Sequence, residues 1–171
     1  MRVGWSPRRL VLIVICAMTA GTSGASGADD SLKDTLQARY AAMKAAMAAH
    51  DATAITAILA PGFTSIDVLG QSEAAPQMIA EVNGLKPDPN KVSTTTLMSV
   101  SPAASAVTVE QRYDMKTIKA GADGVAHNVE LVTLSTDTWV RPANVWLIGR
   151  TVTDELSYFV DGQLVGHKVK P

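Results

Sequence analysis

Two aspartates carry most of the chemistry open to this chain. Asp67 closes a strand-like run, Phe63 to Asp67, three residues before Gly70. Asp137 interrupts a second strand-like run, on a face it shares with Leu131, Thr133 and Trp139. A carboxylate on an inward face costs free energy unless it is paired or protonated. Arg112 and Arg150 are the cations that could pair with Asp137. Two carboxyls whose environments differ can divide acid and base work between them. Each also has a plainer reading: a strand-end aspartate satisfies turn amides, and a buried one forms a structural pair.

The aromatic and imidazole side chains divide in the same way. Tyr40 lies on an apolar helical stripe and Tyr113 on the apolar face of a strand, so each ring belongs to the core while its hydroxyl can face a cavity. Trp139 and Trp146 read as core or dimer-interface aromatics. His127 alternates with Val125 and Val129, as a hydrogen-bonded core or rim residue or as a base. His50 sits at a helix end, where the macrodipole favours it, and His167 lies near the C-terminus. The three histidines share no close spacing, so no metal site is expected. No phosphate-cradling glycine loop and no serine elbow is present, and no cofactor is expected.

Composition narrows the classes further. Arg2, Arg8 and Arg9 precede the apolar run Leu10 to Ala20, and Ser26-Gly27-Ala28 offers a small-x-small cleavage site. This is the pattern of a secretory signal peptide over residues 1–28, with a cut after Ala25 as the alternative. The 11-residue run is too short to span a bilayer. The expected product is secreted or periplasmic, with no membrane attachment after cleavage. It retains 143 of the 171 residues, the size of one domain over 29–171. All 16 acidic residues and 12 of the 15 basic ones lie beyond Ala28, for a net charge of −4. With no basic run left, nucleic acid is not an expected partner. Cys16 leaves with the signal, so the mature chain has neither a disulfide nor a thiolate.

The elements that must position these residues are legible from period and punctuation. Leu32, Leu36, Tyr40, Met43 and Met47 recur at helical steps, behind a capping serine at Ser31. Asp51 caps a second helix, which Pro61-Gly62 ends. Phe63 to Val68 is a strand, and Ser72 to Asn83 a short helix entered through Pro76. After the loop Lys86 to Asn90 the period changes to two. Strands are expected over Val92–Val100, from Val107, over Val125–Val140 and over Val145–Val160, and Asp161-Gly162 folds a hairpin back over 156–169. Helices first and an antiparallel meander afterwards make an α+β fold, with helices over the concave face of a curling sheet.

Two segments resemble a known superfamily. The first is Tyr40 through Gly70. The second is Ser135-Thr136-Asp137-Thr138-Trp139-Val140-Arg141 followed by Val145-Trp146-Leu147-Ile148. Together they resemble the cone-shaped domain of the nuclear-transport-factor-two-like superfamily, which includes SnoaL-like proteins and ketosteroid isomerases. The match runs over roughly Ser31 to Thr153, and the hairpin over 156–169 is an addition to it. The resemblance implies a curved antiparallel sheet around a pocket, a homodimer through the outer sheet face, and two carboxyl positions. Asp67 falls at the general base and Asp137 at the protonated acid that steadies an enolate. Met43 falls where those isomerases carry a helix tyrosine, with Tyr40 one turn away.

Periodicity and resemblance together predict a pocket reached by Tyr40, Asp67, Tyr113, His127 and Asp137, with Met43 and Trp139 as further ligand contacts. Two functions fit it. One is an exported module binding a small apolar or amphipathic molecule. The other is an isomerase, dehydratase or cyclase that abstracts a proton beside a carbonyl with Asp67. A third reading is a structural domain that binds a partner through its outer sheet face.

Overall fold

The computed structural model describes residues 24–171 apart from residue 123. Helix α1 spans Gly24–Ala48 and the short α2 spans Ala52–Thr56. Strands β1 (Leu59–Ile66) and β2 (Ser72–Ala74) precede α3 (Ala75–Gly84). Then come β3 (Val92–Pro102), β4 (Ala106–Ala120), β5 (Ala126–Val140), β6 (Leu147–Val160) and β7 (Gln163–Val169). No described helix is long and apolar enough to cross a membrane. Most of the expected signal peptide lies outside the described residues, and its last stretch, Gly24–Ala28, is helical.

The architecture is α+β, a curved and unclosed sheet with helices against it. Its strand order is β2-β1-β6-β5-β4-β3. The sheet is mixed rather than wholly antiparallel, because β1 runs parallel to β6. The long β5 fills one edge of β6 from Leu147 to Val160. On the other edge β1 takes Ile148–Val152 and β7 takes Glu155–Val160. Both turn residues of the last hairpin, Asp161 (φ 49°) and Gly162 (φ 80°), are left-handed, the geometry that matches the twist of the flanking strands.

Helix α1 lays its stripe on the concave face. Leu36, Tyr40, Met43 and Ala46 are buried against Ile55, Phe63, Leu97, Val107, Val109 and Trp139. Each large apolar side chain so buried contributes about 1.5–3 kcal/mol. Polar tethers fix the helix at its flanks. Gln37 donates to the Thr95 carbonyl at 3.2 Å, Lys44 donates to the Ser93 carbonyl, and Arg39 donates to the Ala57 carbonyl at 3.1 Å. Alternation along β4 is as expected at its start, with Val107 and Val109 buried and Thr108 and Glu110 exposed.

Three local expectations change. Ser31 does not cap α1 but lies inside it, because the small residues ahead of it extend the helix back to Gly24. Pro61-Gly62 does not end α2. It lies within β1 where the register with β6 shifts, and Gly62 takes the φ of 78° that this irregularity needs. Ser72–Ala74 is a strand paired with Thr64–Ile66, so the third helix starts only at Ala75. Asp51, by contrast, does cap α2, accepting from the Ala54 amide at 2.9 Å.

Candidate functional site

Three of the anticipated residues meet in the core. Asp137 is carried by β5 between Val109 of β4 and Thr151 of β6, facing α1. It is 1% exposed. The Tyr40 hydroxyl donates to Asp137 Oδ2 at 2.5 Å, and the Trp139 indole N–H donates to the Tyr40 oxygen at 3.0 Å. The Tyr40 and Trp139 rings meet edge to face with centroids 5.0 Å apart. Asp137 Oδ1 is buried without a hydrogen-bond partner. Neither Arg112 nor Arg150 pairs with Asp137. Arg112 instead grips Asp114 at 2.7 Å, and Arg150 lies exposed.

Burial dominates the electrostatics of this trio. It pushes the Asp137 carboxyl up to about 6, against opposing help from the Tyr40 hydrogen bond and the Thr151 hydroxyl, and the charge of Asp154 pushes the same way as burial. Burial, then the Asp137 charge, holds the Tyr40 phenol far above its ordinary range. Tyr40 therefore stays a donor at any working pH. Its one proton is committed to Asp137, and a substrate oxygen would have to displace that bond to receive it.

The other anticipated residues lie elsewhere. Asp67 is exposed at the end of β1, and its Oδ1 accepts from the Leu69 and Gln71 amides, both at 2.8 Å. The Gly70 amide donates to its carbonyl at 3.0 Å. His127 stands ten residues before Asp137 on β5, a separation of roughly 30 Å along a strand. Its Nδ1 lies 2.7 Å from Asp161 Oδ2 at the last hairpin. Tyr113 is half-buried across from Thr133, two inward positions beyond Val109. Met43 is core. The expected common pocket is thus not assembled: side chains of α1 and Trp139 fill the space beneath the helix, Asp67 belongs to the turn after β1, and His127 lies at the far end of β5.

An open groove of about 730 Å³ lies at the other end of β1. Leu32 of α1, Pro61 of β1, Val107 of β4 and Val140 of β5 contribute to it, with the β3–β4 turn Ala103–Ser105 on one wall and Arg141, Pro142 and Trp146 on the other. The β5–β6 connection passes through two left-handed residues, Ala143 (φ 50°) and Asn144 (φ 65°). Across this connection the Arg141 guanidinium lies 5.5 Å from the centre of the Trp146 ring. A pocket of about 190 Å³ between α1 and β3 also touches Leu32. None of the groove-lining residues is among those expected from the sequence to reach a pocket. The available signal was a Pro-Ala pair in two separate turns, one of them bracketed by Arg141 and Trp146. Among the described residues no cluster of three metal-ligating side chains occurs.

No protein-family model and no curated protein matches the chain. Solved structures do match. A protein of unknown function from Shewanella oneidensis MR-1, described as NTF-2 like, aligns with a TM-score of 0.57 at 15% identity, over 71% of this chain and 98% of that one. A hexachlorocyclohexane dehydrochlorinase aligns at 0.58 and 9% identity, over 84% and 92%. The association domain of C. elegans CaMKII aligns at 0.56 and 12% identity, over 74% and 97%. Enzymes and proteins of unknown function thus share this architecture, and the chain has the nuclear-transport-factor-two-like fold.

Proposed function

We propose that this protein is an exported, dimeric binding domain that holds a small apolar or amphipathic molecule in the groove between the β3–β4 and β5–β6 turns. The observation that carries the reading is the groove itself. Its volume of about 730 Å³ falls in the range of small-molecule sites, and its walls are mostly apolar. The residues expected to catalyse support the same reading by their placement. Asp67 is spent on turn amides, and Tyr40 and Asp137 are spent on each other. The name of the CaMKII association domain supports self-association within this architecture, and the resemblance favours the outer sheet face for it.

The test of the groove is to fill it. Ala104→Phe places a phenyl ring on the exposed wall of the cavity. Thermal-shift and native mass measurements with a panel of apolar and amphipathic compounds should show ligands that stabilise the wild type and not Ala104→Phe. Equal response of both proteins, or no response, defeats the reading. Native protein that still begins at Met1 would remove export, and a monomer mass by light scattering at micromolar concentration would remove the dimer.

The alternative is proton abstraction beside a carbonyl, favoured by the resemblance that sets Asp67 at a general-base position. It requires a substrate at the exposed Asp67 Oδ2, because Oδ1 is held by the Leu69 and Gln71 amides. Loss of carbonyl-acid proton exchange in Asp67→Asn would establish it.

A further inference from the structure

We propose that the groove selects anionic amphipaths, an apolar body ending in a carboxylate, with Arg141 as the group that contacts the anion. The inference rests on the reading of the groove as a ligand site and adds the class of ligand. Its walls carry two polar side chains, Arg141 and Ser105, and no acidic one. Arg141 is exposed, and among the described residues it has no carboxylate within ion-pair distance. Of the other described arginines, Arg112 is committed to Asp114 through three hydrogen bonds and Arg39 to the Ala57 carbonyl, while Arg150 is exposed on β6 and does not line the groove.

Arg141 has instead been given a position. Its guanidinium carbon lies 5.5 Å from the centre of the Trp146 ring, a cation–π contact that consumes none of its N–H donors in hydrogen bonds and leaves them for a planar acceptor. The connection between the two residues passes through the consecutive left-handed residues Ala143 and Asn144. A carboxylate matches two of those donors at once, and such paired, charge-assisted bonds are stronger than neutral ones. The Ser105 hydroxyl on the facing turn is the second donor available to a head group. Pro61, Val140, Pro142 and Trp146 offer the apolar body its contact surface.

Calorimetric titration with decanoate and decanol, which share a tail and differ in charge, separates the two claims. At pH 7 decanoate should bind the wild type about tenfold more tightly than decanol, as one charge-assisted pair allows. Added salt should weaken decanoate and leave decanol unchanged. Arg141→Gln should bring decanoate down to the decanol affinity and leave decanol where it was, which also certifies the variant as folded. Equal affinities in the wild type, or a preference that survives Arg141→Gln, overturns the anion assignment and leaves the groove standing. Should the variant lose both ligands, the wild-type salt response decides: an affinity for decanoate indifferent to salt overturns the assignment. Binding of neither compound, or binding undiminished by Ala104→Phe, removes the groove reading and this inference with it.

Discussion

The Tyr40 hydroxyl reaches across from α1 to Asp137 on β5 at 2.5 Å, in the middle of a core otherwise built from Leu36, Met43, Val107 and Val109. Two residues 97 positions apart thus make a buried side-chain bond between the first helix and the sheet floor, and the Trp139 indole N–H joins it by donating to the same hydroxyl oxygen. It defines what the interior tolerates, and a first set of measurements follows from it.

Stability should fall with rising pH on account of Asp137. Its folded carboxyl titrates at about 6, above the ordinary 3.8, so the folded state binds the proton more tightly than the unfolded one. The contribution is fully present below pH 3.8 and is lost as pH rises through about 6. The shift corresponds to about 3 kcal/mol, to order of magnitude. Asp137→Asn removes the titration. The difference in unfolding free energy between the variant and the wild type should therefore widen in the variant's favour from pH 4 to pH 7. A difference that stays flat over that window contradicts the assignment.

Tyr40→Phe should cost about 1–3 kcal/mol, since it removes the close tyrosine donor from a buried carboxyl and leaves it the Thr151 hydroxyl alone. It should also raise the Asp137 titration further, because the lost bond favoured the charged form. Chemical denaturation measures the first effect. Carboxyl-resonance titration by NMR measures the second, and a downward move would show that another donor holds Asp137.

Asp67→Ala should destabilise the protein by about 1 kcal/mol by freeing two exposed turn amides. Asp67→Asn, which keeps the accepting oxygen, should cost less. Neither should change carbonyl-acid proton exchange, and a loss of exchange would restore Asp67 as a base.

The terminal hairpin offers a local test. Gly162 has φ 80° with open space around its Cα, so Gly162→Ala strains backbone only, by about 1 kcal/mol. Amide exchange should quicken in Gln163–Val169 before it changes in β4. The latch that holds this turn to β5 has its own pH dependence. The His127 bond, first, and the Asn128 amide hold the Asp161 carboxyl below its ordinary value. That contribution is present above pH 3.8 and fades as pH falls below it. Protection of the β7 amides, corrected for the intrinsic pH dependence of exchange, that is indifferent to acid would contradict the latch.

Much of the fold could be read from the chain because its signals are local. The helical steps from Leu32 to Met47, the alternation beginning at Val107 and the Asp161-Gly162 turn each depend on neighbours in sequence. The trio Tyr40, Asp137 and Trp139 was reachable through stripe, strand face and resemblance together. Asp67 was not decidable in the same way: a strand-end aspartate three residues before a glycine suits a base and a turn alike, and only the Leu69 and Gln71 amides separate the two. The parallel pairing of β1 with β6 joins segments some 90 residues apart, and nothing in either segment encodes its direction. The groove escaped notice for a related reason. Its walls come from α1, β1 and two turns, and small residues such as Ala103 and Ala104 carry no period.

One consequence of the Tyr40–Asp137 bond concerns assembly. An alanine-rich helix on an apolar floor has little to stop it from sliding by a turn, since methyl groups pack nearly as well in the neighbouring position. Such a slip would bring Leu36 or Lys44 opposite Asp137 in place of Tyr40. Leucine there would strand the carboxylate without a donor, and lysine would have to bury its charge. The buried bond thus works as an index pin: it admits one setting of the helix and penalises the next on either side.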